Sequence, residues 1–216
     1  MLMRVSWYAA VILAMASPVG ADCGKCGSAQ VKGKHHPGGR SAHAELGKPA
    51  PDFSLKDADG SVHQLSKLKG KIVVLEWTNH RCPFVQRSYN AKVMVDTCSK
   101  FKDKPVVWMA IDSSHFAEKQ RNAIRAWKDK LSLPYPILLD AGGQVGQAYG
   151  ARTTPHVFVI DQAGILAYAG AIDNNPYGDQ ENPVNYVEKA IAELLAGSTV
   201  TTPQTKSYGC TIKYKS

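Results

Sequence analysis

The 216-residue chain carries 26 lysines and arginines against 18 aspartates and glutamates, a formal net charge of +8, and 44% of it is apolar. That apolar share excludes a disordered chain and is enough for one to one-and-a-half domains with a sizeable core. The charge is uneven: residues 1–21 carry +1, 22–50 carry +3 and 198–216 carry +3, which leaves +1 for residues 51–197. A nearly neutral body offers no basic groove and argues against nucleic acid as a partner.

Arg4 is followed by an apolar run from Val5 to Met15, broken only by Ser6, and Val19-Gly20-Ala21 places small residues where a signal peptidase cuts. The run is shorter than the roughly 20 residues of a membrane span. Residues 1–21 therefore read as a cleaved secretory leader and the only membrane contact of the chain. The mature protein, starting after Ala21, is expected to be secreted or periplasmic, where disulfides persist. Cysteines at 23, 26, 82, 98 and 210 all stay in that mature chain, and an odd count leaves at least one free or pairing outside it.

Residues 22–48 are rich in Gly, Lys and His and have no apolar period, so they read as a flexible arm that folding does not need. Residues 49–197 read as one domain and 198–216 as a basic tail holding Cys210. Phe53-Ser54-Leu55 and Val62-His63-Gln64-Leu65 flank the turn Asp57-Ala58-Asp59-Gly60 and predict an N-terminal β-hairpin. Ile72 to Trp77 is a nearly continuous β-branched run, which predicts a strand buried on both faces. From Pro83, apolar residues at 85, 89, 93, 94, 98 and 101 keep helical spacing, with Pro in the first turn.

Further on, residues 106–111 predict a second buried strand, 116–131 a helix, 137–139 a short strand, and 144–149 a helical turn closed by Gly150. Residues 156–160 and 165–169 read as strands joined by a turn, and 183–196 as the last helix. Strands alternating with helices imply an α/β class with a central sheet flanked by helices.

Cys82 stands between the end of a buried strand and the start of a helix, in Trp77-Thr78-Asn79-His80-Arg81-Cys82-Pro83-Phe84. There a thiol meets the positive end of the helix dipole and free backbone N–H groups, which stabilise thiolate and make it a nucleophile. His80 and Arg81 can add positive charge in the same turn. Thr153-Thr154-Pro155-His156 opens a later strand, and Thr154-Pro155 is a candidate cis peptide.

Cys98 falls on the apolar stripe of the predicted first helix and reads as a core residue. Cys23-Gly24-Lys25-Cys26, followed by His35, His36 and His43, offers soft ligands for zinc or copper, or alternatively a small local disulfide.

Taken together, Pro49-Ala50-Pro51-Asp52-Phe53, Leu75-Glu76-Trp77, Cys82-Pro83-Phe84-Val85, Thr153 to Asp161 and Gly170-Ala171-Ile172-Asp173 resemble the thioredoxin-fold redoxins. The likeness is greatest to the peroxiredoxin-like branch related to alkyl hydroperoxide reductase and the thiol-specific antioxidants, and it extends through Tyr208-Gly209-Cys210. The resemblance implies a thioredoxin-like fold with a mixed sheet, Cys82 at the active-site helix, and Thr154-Pro155 as the cis-proline loop facing it. Two departures limit it. Asn79 stands where the first cysteine of a C-x-x-C motif ending at Cys82 would be, and Leu75 and Asn79 replace the Pro and Thr of Pro-x-x-x-Thr-x-x-Cys. Asn79 can still donate a hydrogen bond, and Arg152 can supply a cation.

With no second motif cysteine, a partner for Cys82 must come from elsewhere. Cys98 lies sixteen residues further along the predicted helix, roughly 24 Å away at about 1.5 Å per residue, too far for a disulfide. Cys210, on a tail that can fold back, is the preferred resolving thiol. The expected function is an extracytoplasmic thiol oxidoreductase without cofactor, acting on a peroxide or a protein disulfide and recycled by a thiol reductant. The alternative is a metal-binding or carrier domain that uses the Cys and His residues of the arm and has no turnover.

Overall fold

A computed structural model describes residues 43–215. The predicted leader and residues 22–42, with Cys23, Cys26, His35 and His36, lie outside the described residues. The predicted hairpin forms from β1 (Ser54–Lys56) and β2 (Val62–Gln64), paired antiparallel with Leu55 opposite His63. Next come β3 (Ile72–Trp77), α1 (Pro83–Asn90), α2 (Val93–Lys100), β4 (Val106–Asp112), α3 (Arg121–Lys130), β5 (Ile137–Leu139) and α4 (Gln144–Tyr149). They are followed by β6 (Thr153–Thr154), β7 (His156–Ile160), β8 (Leu166–Gly170), α5 (Tyr186–Leu195) and β9 (Cys210–Thr211).

Five strands make a mixed sheet in the order β5-β4-β3-β7-β8, parallel among β5, β4 and β3 and antiparallel among β3, β7 and β8. β3 lies at its centre, and all six of its residues are buried. Its side chains alternate between two cores. Ile72 and Val74 join Val85, Tyr89, Met94, Ile124, Val187 and Ile191 beneath α1, α2, α3 and α5. Val73, Leu75 and Trp77 join Phe53, Leu65, Tyr149, Phe158 and Ile212 under the hairpin, α4 and the C-terminal segment. Both faces being covered is why the strand reads as a continuous apolar run.

The structure corrects the predicted elements at several places. The expected helix from Pro83 to Phe101 is two helices, because Lys92 adopts a left-handed conformation with φ 58°. A straight-helix ruler between Cys82 and Cys98 therefore does not apply. Residues 116–131 hold only a short 3-10 turn at Glu118–Gln120 and then α3. The last helix starts at Tyr186 rather than 183, since the Asn185 side chain caps it by accepting from the Glu188 N–H at 2.9 Å.

Residues 43–48 and the C-terminal segment are both held to the domain. In the arm, Ala44 N–H donates to the Ala148 carbonyl at 2.7 Å, and Gly47 N–H and Leu166 N–H pair with Leu166 O and Lys48 O, each at 2.9 Å. Residues 43–48 thus pack with the domain, ahead of the expected boundary at 49. In the tail, β9 pairs antiparallel with β6, placing Cys210 opposite Thr154 and Thr211 opposite Thr153. Ile212 is buried in the second core, and Tyr214 Oη donates to the Ala151 carbonyl at 2.9 Å. Sequence reasoning found no apolar period in this segment because its anchors are single residues between polar ones.

Candidate active site

Cys82 is the N-cap of α1, with extended backbone (φ −76°, ψ 122°) and Pro83 in the first turn. The turn that delivers it is made by Asn79. Its Oδ1 accepts from Arg81 N–H at 2.8 Å, its carbonyl accepts from Cys82 N–H at 2.9 Å, and its amide donates to Ser114 Oγ at 2.7 Å. Asn79 therefore scaffolds the loop, and its side-chain amide is held by Ser114 rather than by the sulfur. A C-x-x-C motif read forward from the N-cap would end at Val85, which is fully buried.

The Cys82 thiol is only 3% exposed and lies 3.0 Å from the Thr154 carbonyl, to which it donates when protonated. Thr154 precedes Pro155 across a cis peptide bond. Cys210 is brought to the same loop by the β6–β9 pairing, opposite the Thr154 whose carbonyl Cys82 meets. The geometry thus gathers Cys82, Thr154, Pro155 and Cys210.

Electrostatics make the two sulfurs unequal. Burial pushes the Cys82 thiol up, but hydrogen bonds from the Cys210 thiol, the Thr154 side chain and the backbone N–H groups of Val85 and Cys210 stabilise the thiolate. These donors outweigh burial and the single accepting carbonyl, so Cys82 sits below the ordinary thiol value. Cys210 is pushed up to about 11, first by burial and then by its bond to Cys82 and the Cys82 charge; Lys213 and the Phe84 N–H offset part of this. The open first turn of α1 thus favours thiolate on both sulfurs, at Val85 for Cys82 and at Phe84 for Cys210.

Arg152 is exposed. Its backbone N–H donates to His156 Nδ1 at 3.3 Å, and its charge helps burial to depress the His156 ring to about 4. Arg81 lies over the Phe116 ring at 5.8 Å. Cys98 is half-buried on α2 and pushed up to about 11 by burial and by Glu76. Among the described residues no group of three or more His, Cys, Asp or Glu is placed to hold a metal ion.

Sequence reasoning missed two residues here. Gly209, with φ 118°, lets β9 approach the cis-proline loop, since a Cβ there would collide with the Thr154 carbonyl. Glu76 lies fully buried under α1, accepting from Tyr89 Oη at 2.9 Å and Trp108 Nε1 at 3.2 Å. A carboxylate inside a two-face-buried strand was the available signal for it.

Residues 46–169 match the AhpC/TSA family. The chain belongs to that family. Among its relatives, the thiol-disulfide oxidoreductase ResA of Bacillus thuringiensis subsp. konkukian (strain 97-27) is 30% identical over 120 residues. That match covers 56% of this chain and 66% of ResA, slightly less than two thirds of the relative's length. The thioredoxin-like protein YneN of Bacillus subtilis (strain 168) is 32% identical over 120 residues, 56% of this chain and 68% of YneN. A crystal structure of the hypothetical protein SMc02350 from Sinorhizobium meliloti 1021 superposes with a TM-score of 0.72 at 27% identity, covering 81% of this chain and 97% of that one. The architecture of this AhpC/TSA member is thioredoxin-like, as expected.

Proposed function

We propose that the protein is a thiol-disulfide oxidoreductase in which Cys82 and Cys210 cycle between dithiol and disulfide. The observation that carries this reading is the β6–β9 pairing, which sets Cys210 opposite Thr154, the residue whose carbonyl lies 3.0 Å from Cys82 Sγ, beside a Cys82 lowered and a Cys210 raised by their shared surroundings. Cys82 thiolate attacks one sulfur of a substrate disulfide; that S–S bond breaks, and the departing substrate sulfur leaves as thiolate and takes up a proton. The mixed disulfide carries no charge on Cys82, so the Cys82 charge that helped hold Cys210 up is gone. Cys210 then gives its proton to solvent and attacks the Cys82 sulfur, expelling the second substrate thiolate. Two electrons reduce the substrate and leave a Cys82–Cys210 disulfide, which an external thiol reductant reopens.

A protein disulfide fits this site better than a peroxide. The side chains that the family resemblance would turn toward a peroxide are engaged elsewhere, Asn79 with Ser114 and Arg152 beside His156. The names of relatives such as ResA support the same choice. The leader pattern in residues 1–21 supports an extracytoplasmic setting. The reading is tested by comparing rates of Cys82 reaction with oxidised glutathione and with hydrogen peroxide, in the natural chain and in Cys210→Ser. Faster reaction with the disulfide, and a mixed disulfide that accumulates in Cys210→Ser, are expected. Faster reaction with peroxide, and sulfinic acid on Cys82 of the variant, would replace this reading with peroxide reduction.

A further inference from the structure

A sizeable cavity lies away from Cys82. It holds about 720 Å³ on the opposite face of the sheet, between α4, β7, β8, residues 43–46 and the C-terminal segment. That volume falls within the roughly 300–1,000 Å³ of small-molecule sites. Leu46, Tyr149, Phe158, Leu166 and Ala169 give it an apolar wall. His156, Arg152 and Lys206 line it with Glu45, His43, Tyr149 and Tyr214, the other titratable groups of its wall.

His156 distinguishes this cavity from an incidental cleft. The residue is 9% exposed, and its Nδ1 accepts from the Arg152 backbone N–H, so the neutral ring carries its proton on Nε2. That N–H has no partner among the described residues, and its ring lines the cavity. Left free on the cavity side, this donor is available to a ligand oxygen. Arg152, exposed in the same wall, offers the planar fork that suits a carboxylate.

We propose that this cavity binds a small amphipathic monocarboxylate, its head held by His156 Nε2–H and the Arg152 guanidinium, its chain lying along Phe158, Leu166 and Ala169. The site backs directly onto the cis-proline loop, since His156 follows Pro155 and Arg152 precedes Thr153. It needs no turnover, so its test is independent of the redox reading.

The test is calorimetric titration of the reduced full mature chain with sodium decanoate, with decanol and inorganic phosphate as comparison ligands. Saturable one-site binding of decanoate is expected, weakened about ten-fold or more in Arg152→Gln and in His156→Phe, with decanol and phosphate each binding far more weakly. Arg152 is exposed, so Arg152→Gln remains informative should His156→Phe fail to fold. No saturable binding, equal affinity in Arg152→Gln, decanol as tight as decanoate, or full displacement by phosphate at similar concentration would each overturn the proposal.

Discussion

Removing the Cys210 thiol takes a hydrogen-bond donor from the Cys82 thiolate, so Cys210→Ala raises the Cys82 pKa and slows its alkylation at neutral pH. A slowing of about two- to ten-fold in iodoacetamide rate is expected; an unchanged rate would show that the helix N–H groups suffice. Conversely, Cys82→Ala removes two of the causes that hold Cys210 near 11, and its titration midpoint should fall. Buried Glu76 gives a different pH signature. Burial raises its pKa from 4.5 to about 7, against hydrogen bonds from Tyr89, Trp108 and Tyr135 that lower it. With the folded value above the unfolded one, its contribution is fully present below about pH 4.5 and is lost as pH rises through about 7, up to about 3 kcal/mol. Thermal melts should therefore lose stability over that window, and Glu76→Gln should flatten the loss. Cys82 was legible from its place between strand and helix, and Cys210 because burial did not explain it in a polar segment. The engagement of Asn79 with Ser114 was not legible, because it joins positions 35 residues apart.

At the scale of elements, β9 is the part that turns a lone helix-cap thiol into a pair. Gly209→Ala places a Cβ against the Thr154 carbonyl in a backbone conformation that side chains rarely adopt, so it should cost more than about 1 kcal/mol. It should also slow disulfide closure while leaving the first reaction of Cys82 nearly intact; stopped-flow traces that separate the two steps check this. At the other end, a chain beginning at Pro49 loses the hydrogen bonds of Ala44, Gly47 and Lys48 and the packing of Leu46, whereas one beginning at Ser41 keeps them. The shorter chain should be less stable by about 2–4 kcal/mol, as read from urea melts. Strands β3, β4 and β7 were legible because burial on both faces writes continuous apolar runs. The helix break at Lys92 was not: apolar residues at 89, 93 and 94 keep helical spacing across a left-handed residue. β6 and β9 are two residues each, too short for any period to register.

For the molecule as a whole, the charge distribution, the alternating strands and helices and the motif order carried the α/β class and the thioredoxin-like fold. The roles of the two ends were hidden because composition reports flexibility only where no sparse anchor exists; here Leu46, Ile212 and Tyr214 pack against the second core. Those contacts hold the C-terminal segment, with Cys210, against the cis-proline loop beside Cys82. The lysines of that segment, Lys206, Lys213 and Lys215, stay exposed, which is how a basic composition coexists with a packed backbone. Whether Cys82 and Cys210 form the working pair is decided by peptide mapping of the chain from Asp22 onward after mild oxidation with one equivalent of a small disulfide. The account predicts a single intramolecular link between the Cys82 and Cys210 peptides, with Cys98 still a thiol. Cys82 joined only to Cys23 or Cys26, or left reduced beside a reduced Cys210, would contradict it.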